Sequence, residues 1–330
     1  MIIPCLIAQA PFPYYNDQKE NCSKSVTNNF CYHGPMFDAV GQYKSCSVPG
    51  MISITFDDGP SQYTSHILDV LMEYNMKATF FVIGKQLRTY HTLIQRMINE
   101  GHQLGSHTHG HVDLTTSTDP YQEMVNFEID LVKENFDGPL SNHYIPSYMR
   151  APHGALNIAT FDVVQNQLGY LPIHWGILTQ DSNGIPSTEV LPRYFTRLGG
   201  DEGDGVNAMD LTLITQQHDV QQATAVSFSD LALYLNQTFG SQGVRFVTVA
   251  ECLGNTVPAY RPNPRMQNDP TCASGIKQVS VGACCLASCG RCGGTGCSSR
   301  PGGAEGCCTN NIITANYSCT LSPAPCVYTI

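Results

Sequence analysis

Between residues 51 and 249 the chain alternates short apolar runs with amphipathic stretches. Met51–Phe56 (MISITF) and Ala78–Ile83 (ATFFVI) are uncharged and mostly apolar, broken only by Ser53, Thr55 and Thr79. Such runs predict strands buried on both faces, as in a parallel sheet. Ser65–Tyr74, between them, carries the spacing of an amphipathic helix. Thr92–Glu100 reads as a helix that stops at Gly101, and Gln103–Ser106 as a short strand leading into a His-rich loop. Pro120–Asn135 reads as a helix, and Tyr144–Met149 and Tyr170–Trp175 as strands. Thr188–Arg197, Leu211–Thr215, Phe228–Phe239 and Arg245–Val249 continue the alternation. Repeated βα units predict a parallel sheet with flanking helices, and loops at the C-terminal strand ends then carry the chemistry.

The flanks break this pattern. Residues 11–45 are polar and irregular, with a few cysteines, and Pro258, Pro262, Pro264 and Pro270 make 254–271 a linker. Residues 272–330 are dense in Cys, Gly and Ser, too poor in large apolar residues for a core, so disulfides must substitute. Fifteen cysteines in all point to an oxidising compartment. The odd one, Cys5, falls in the apolar Met1–Ala10, which resembles the remnant of a signal peptide. The triplets at Asn21, Asn236 and Asn316 are glycosylation acceptors that fit secretion. Only 13% of residues are charged and the formal net charge is -10, which argues against a nucleic-acid partner. No apolar run is long enough for a membrane span. The expectation is a secreted monomer acting outside the cell or in its wall.

Two motifs carry candidate chemistry. Thr55-Phe56-Asp57-Asp58-Gly59-Pro60 ends the first strand with adjacent carboxylates, which repel unless a cation compensates. Ser106-His107-Thr108-His109-Gly110-His111 offers histidines four apart, a spacing that turns two rings to one side of a helical turn. Asp58, His107 and His111 together make an Asp-His-His set with open positions, the architecture of a catalytic metal site; His109 is the alternative ligand.

TFDDGP, KATFFVIG, GHQLGSHTHGH, RAPHG and QQHD, in this order, resemble carbohydrate esterase family 4, the polysaccharide deacetylases related to nodulation-factor deacetylase. The resemblance covers residues 46–253. It is nearest to eukaryotic chitin deacetylases, through Cys46-Ser-Val-Pro-Gly and Val247-Thr-Val-Ala-Glu-Cys252-Leu-Gly. It implies a distorted (β/α) barrel of about seven parallel strands, with Cys46 bridged to Cys252. It further implies Asp57 as general base, Arg150 orienting it, and Asp58, His107 and His111 as metal ligands. The backbone N–H of His153 would help to hold the oxyanion. His218 would be the general acid, tuned by Asp181. The implied cofactor is a divalent metal, zinc by default, with cobalt or nickel as alternatives.

The chain departs from the family pattern beside this set. The fourth family motif is roughly Asp-x-x-Asp-Trp, and here Leu178 replaces the first Asp and Ser182 the Trp. Gln216 takes a usually apolar position two before His218. Ser182 and Gln216 fall where the family walls its acetyl pocket, so both are expected to contact substrate. The expected activity is N-deacetylation of a β-linked GlcNAc polysaccharide, chitin above all. An O-acetyl esterase on xylan, or a non-catalytic glycan-binding protein, is the alternative.

Overall fold

The computed structural model describes residues 36–197 and 211–265. The expectations for a signal remnant, for most of the lead-in, for the end of the linker and for the Cys-rich module fall outside these residues.

The first strand shows why the sheet forms. β1 (Met51–Asp57) is buried at every position. Successive side chains of a strand point to opposite faces. Ile52, Ile54 and Phe56 join one apolar cluster with Phe80, Leu104 and the inner faces of the helices, whereas Met51 joins a second cluster with Phe81, Tyr148, Ile173 and Ile214. Ser53, Thr55 and Asp57 share that second, enclosed face and are buried polar residues.

The strands that follow are β2 (Ala78–Val82), β3 (Gln103–Ser106), β4 (Tyr144–Pro146), β5 (Tyr148–Met149), β6 (Leu171–Pro172), β7 (Ile177–Leu178), β8 (Thr212–His218), β9 (Arg245–Phe246) and β10 (Tyr260–Pro262). Seven of them form one curled parallel sheet in the order β6-β5-β3-β2-β1-β8-β7, with β9 added beside the start of β1. This half-barrel agrees with the expected distorted (β/α) barrel. Helices α1 (Thr64–Glu73), α2 (His91–Asn99), α3 (Pro120–Glu134), α4 (Ile158–Phe161), α5 (Ser187–Arg197), α6 (Gln222–Thr238) and α7 (Val249–Cys252) supply the connections. Gly105 is required by packing: a Cβ there would stand 2.5 Å from the Phe81 ring.

Several boundaries differ from the sequence reading. Tyr144–Met149 is two strands, because Pro146 cannot donate to a central ladder; β4 pairs antiparallel with β10, and β5 joins the main sheet. Tyr170–Trp175 contributes only β6, and β7 follows it unforeseen. Arg245–Val249 ends as β9, since Thr248 caps α7. Residues 254–265 of the expected linker are built into the fold. There Arg265 and Asn263 bond to the buried Glu128 of α3.

The Cys46–Cys252 bridge is present, with a Cα separation of 4.8 Å across 206 residues of sequence. On the chain-entropy model a loop of that length contributes at most about 5 kcal/mol. Beside it, the end of the lead-in is fastened to the sheet: Tyr43 pairs with Ile173, and Cys46 N–H donates to Thr212 O.

Candidate active site

The C-terminal ends of β1, β3, β5 and β8 lie along one edge because their strands run parallel. They deliver Asp57 and Asp58, His107, Arg150 and His218 to one place. Asp57 is 1% exposed and Arg150 is fully enclosed. Arg150 Nη1 donates to Asp57 Oδ1 at 2.8 Å and to Thr55 Oγ1 at 2.5 Å. Its Nη2 donates to His174 O at 2.8 Å, and its guanidinium lies 4.2 Å from the centre of the Phe81 ring. The donor fork is thus fixed on several sides, and the carboxylate is held by it.

Asp58 follows in the left-handed region at φ 71°, which turns its side chain away from that of Asp57. Its Oδ1 lies 3.3 Å from His107 Nε2 and 3.1 Å from His111 Nε2. The three ligand atoms all fall within 4.8 Å of one another. His107 Nδ1 is 2.7 Å from Arg150 O, so it must donate there and leave a lone pair on Nε2. Two acceptors then face each other, and Asp58 Oδ1 is enclosed without an aligned hydrogen-bond donor. A cation between them resolves this, so the donor set fits a divalent metal. Burial alone would raise the Asp58 carboxyl, but the imidazoles of His107 and His111 outweigh it and hold it far below the usual carboxylate range. The adjacent Asp58 carboxylate raises His111 in turn.

The His107–His111 segment is not the helical turn that its spacing suggested. Thr108 and His111 are both left-handed, at φ 64° and 59°. The loop is shaped by its anchors instead: Gly84 N–H donates to Thr108 O, Lys85 N–H to His109 O, and Gly110 N–H to Glu123 Oε1. Gly84 permits the approach, since a Cβ there would meet the His109 backbone at 2.9 Å. His109, the alternative ligand, lies against Asp130 with its Nε2 2.9 Å from Oδ2.

His218 stands opposite Asp57 in the β1–β8 register. Its Nδ1 is 2.7 Å from Asp181 Oδ1, and its backbone N–H donates to Asp181 Oδ2 at 2.7 Å. Burial would lower this imidazole, but Asp181 outweighs burial and raises it to about 9. Burial likewise pushes Asp181 up, and His218 pulls it below its ordinary value. His218 Nε2 lies 3.9 Å from Asp58 Oδ2, so His218 stands beside the Asp58–His107–His111 set.

The expected substrate contacts are placed less uniformly. His153 is exposed at φ 60°, its ring 4.8 Å from that of His111. Ser182 is exposed, and its backbone N–H donates to Asp181 Oδ1. Gln216 is 5% exposed, and its Nε2 donates to Asp57 Oδ2 at 2.9 Å. Asp219 received no role from sequence, although it stands in the QQHD motif. It is fully buried, accepts from Thr64 Oγ1 at 2.6 Å, and burial raises it to about 7. Thr224, which donates to Asp181 Oδ2, had no sequence signal at all.

Residues 44–173 match the family model described as "Polysaccharide deacetylase". A chitin deacetylase of Colletotrichum lindemuthianum is 34% identical over 220 residues, which cover 64% of this chain and 82% of that protein. A peptidoglycan-N-acetylglucosamine deacetylase of Listeria monocytogenes is 32% identical over 260 residues, covering 77% of this chain and 49% of that protein. The chain thus spans about half the length of the Listeria relative it matches. The solved chitin deacetylase of Colletotrichum lindemuthianum superposes with a TM-score of 0.56 at 31% identity, covering 67% of this chain and 95% of that one.

Proposed function

Because the chain belongs to the polysaccharide deacetylase family, we propose that it hydrolyses N-acetyl groups of a β-linked N-acetylglucosamine polysaccharide, chitin first. The observation that carries this reading is the meeting of a buried carboxylate, an Asp-His-His set and a carboxylate-tuned imidazole at one sheet edge. Likeness to the Colletotrichum chitin deacetylase over most of that protein's length favours chitin. Residues 46–253 form the catalytic domain in this reading, the protein acts outside the cell or in its wall, and 272–330 is an appended module.

Asp58, His107 and His111 would hold a divalent cation, zinc by default, which would supply Lewis acidity toward the acetamide carbonyl. Asp57, held by Arg150, takes a proton from the water that adds to the carbonyl carbon. The His153 N–H helps to hold the charge that develops on oxygen. His218 delivers its proton to the amide nitrogen as the C–N bond breaks, leaving acetate and a free amine.

Acetate release from chitin oligomers, peptidoglycan and acetylxylan by the full chain tests this. The expected result is fastest release from chitin, loss on chelation, and recovery with zinc, cobalt or nickel. Faster release from peptidoglycan or acetylxylan moves the substrate assignment. No release with any metal sinks the reading and leaves a glycan-binding protein.

A further inference from the structure

Gln216 lies on β8 two residues before His218, so both side chains point to the enclosed face of the sheet. Asp57 is the register partner of His218 on β1 and shares that face. The Gln216 carboxamide reaches between them. Its Nε2 is 2.9 Å from Asp57 Oδ2 and 3.2 Å from His218 Nε2. The amide NH2 donates to the carboxylate oxygen, whereas a protonated His218 carries its own N–H at Nε2 and is no acceptor there. The nitrogen must face the carboxylate, since the carbonyl oxygen there would set two lone pairs against each other.

The other end of the amide is unmatched. Gln216 Oε1 is buried and has no hydrogen-bond partner among the described residues. A buried carbonyl without a donor destabilises a fold. An apolar side chain of equal volume would therefore serve packing better at this position. The register partner of Gln216 on β7 is Leu178, which shares its face.

We propose that Gln216 is a positioning residue that fixes the carboxylate of Asp57, rather than a wall of the acyl pocket. Arg150 holds Oδ1 and Gln216 holds Oδ2, so the carboxylate cannot rotate about its Cβ–Cγ bond. This rests on the deacetylase reading given above, and its test is arranged so that the two fail separately.

The variants Gln216→Met and Gln216→Leu remove the NH2 at similar volume, and Gln216→Glu replaces it with a second carboxylate. In the full chain loaded with zinc, both apolar variants should lower kcat on chitin oligomers by about tenfold to a hundredfold, with KM within about twofold of wild type. Their melting temperature should stay close to that of wild type, because the unpartnered carbonyl and the bond to the Asp57 carboxylate are lost together. Gln216→Glu should lose more activity than either. An apolar variant with wild-type kcat overturns the proposal, as does a KM that carries the whole effect, since a pocket wall acts through binding. A second readout does not use turnover. In the metal-free protein the side-chain NH2 signals of Gln216 should exchange slowly with solvent and shift in Asp57→Asn. Fast exchange, or signals that ignore Asp57→Asn, overturns the proposal even if the wild type releases no acetate.

Discussion

Among the described residues, two guanidinium–carboxylate pairs are buried, and they use their carboxylates differently. Glu128 of α3 is filled. Its Oε1 accepts from Tyr170 Oη and Arg265 Nη2, and its Oε2 from Asn263 Nδ2 and Arg265 Nε. A carboxylate offers about four lone-pair sites, so nothing is left for a ligand. Asp57 accepts from Arg150 on Oδ1 and from Gln216 on Oδ2, and retains further acceptor sites. Both pairs are almost free of solvent, so burial does not separate them. Saturation does. A filled carboxylate is a clamp, here holding the β10 segment to α3. An unfilled one beside a cation site is available to take a proton.

Breaking each pair should therefore have opposite signatures. Asp57→Asn keeps an acceptor for Arg150 but removes the basic group, and kcat for acetate release should fall by about a thousandfold or more. Its far-ultraviolet dichroism should remain that of the wild type. Glu128→Gln should destabilise by about 3 kcal/mol, because the Arg265 charge is left largely buried and unpaired. Denaturant unfolding measures that loss. Its kcat below the transition should stay within about twofold of wild type, since the two sites share no partner. A Glu128→Gln enzyme that is stable but inactive would erase the distinction.

How far the sequence foretells this depends on range. β1 and β2 are legible because a strand buried on both faces carries apolar and small hydroxyl residues and no charge, as in MISITF and ATFFVI. β6 and β7 are two residues each, too short for any period to appear, and are held by register with strands elsewhere in the chain. The Asp-His-His set is legible because His107 and His111 are close in sequence and follow a strand. The left-handed turns that shape their loop are not, since those depend on Gly84, Lys85 and Glu123. The Gln216–Asp57 bond spans 159 residues. From sequence, Gln216 appears only as a polar residue where an apolar one is usual. The role of Glu128 is hidden for the same reason, because its partners Asn263 and Arg265 lie in a stretch whose prolines read as a linker.

Asp181 sharpens the comparison, being filled like Glu128 yet placed in the site. Its Oδ1 accepts from Ser182 N–H and His218 Nδ1, and its Oδ2 from His218 N–H and Thr224 Oγ1. The difference is that the group it clamps can itself titrate. Burial lowers His218, and Asp181 overcomes burial to raise it from 6.5 to about 9. A raised folded-state value means that the pair contributes stability below pH 6.5, and that this is lost as pH rises through about 9. An acid must carry its proton, so deacetylation should persist through neutral pH and fall along an alkaline limb near 9. Asp181→Asn removes the partner while burial remains, and the limb should move toward acid by about one pH unit or more. This change is smaller than the loss in Asp57→Asn, because activity survives at lower pH. A pH profile of kcat decides it. A limb that stays in place in Asp181→Asn would show that Asp181 is a clamp of the Glu128 kind, and that His218 is not the group that gives up the proton.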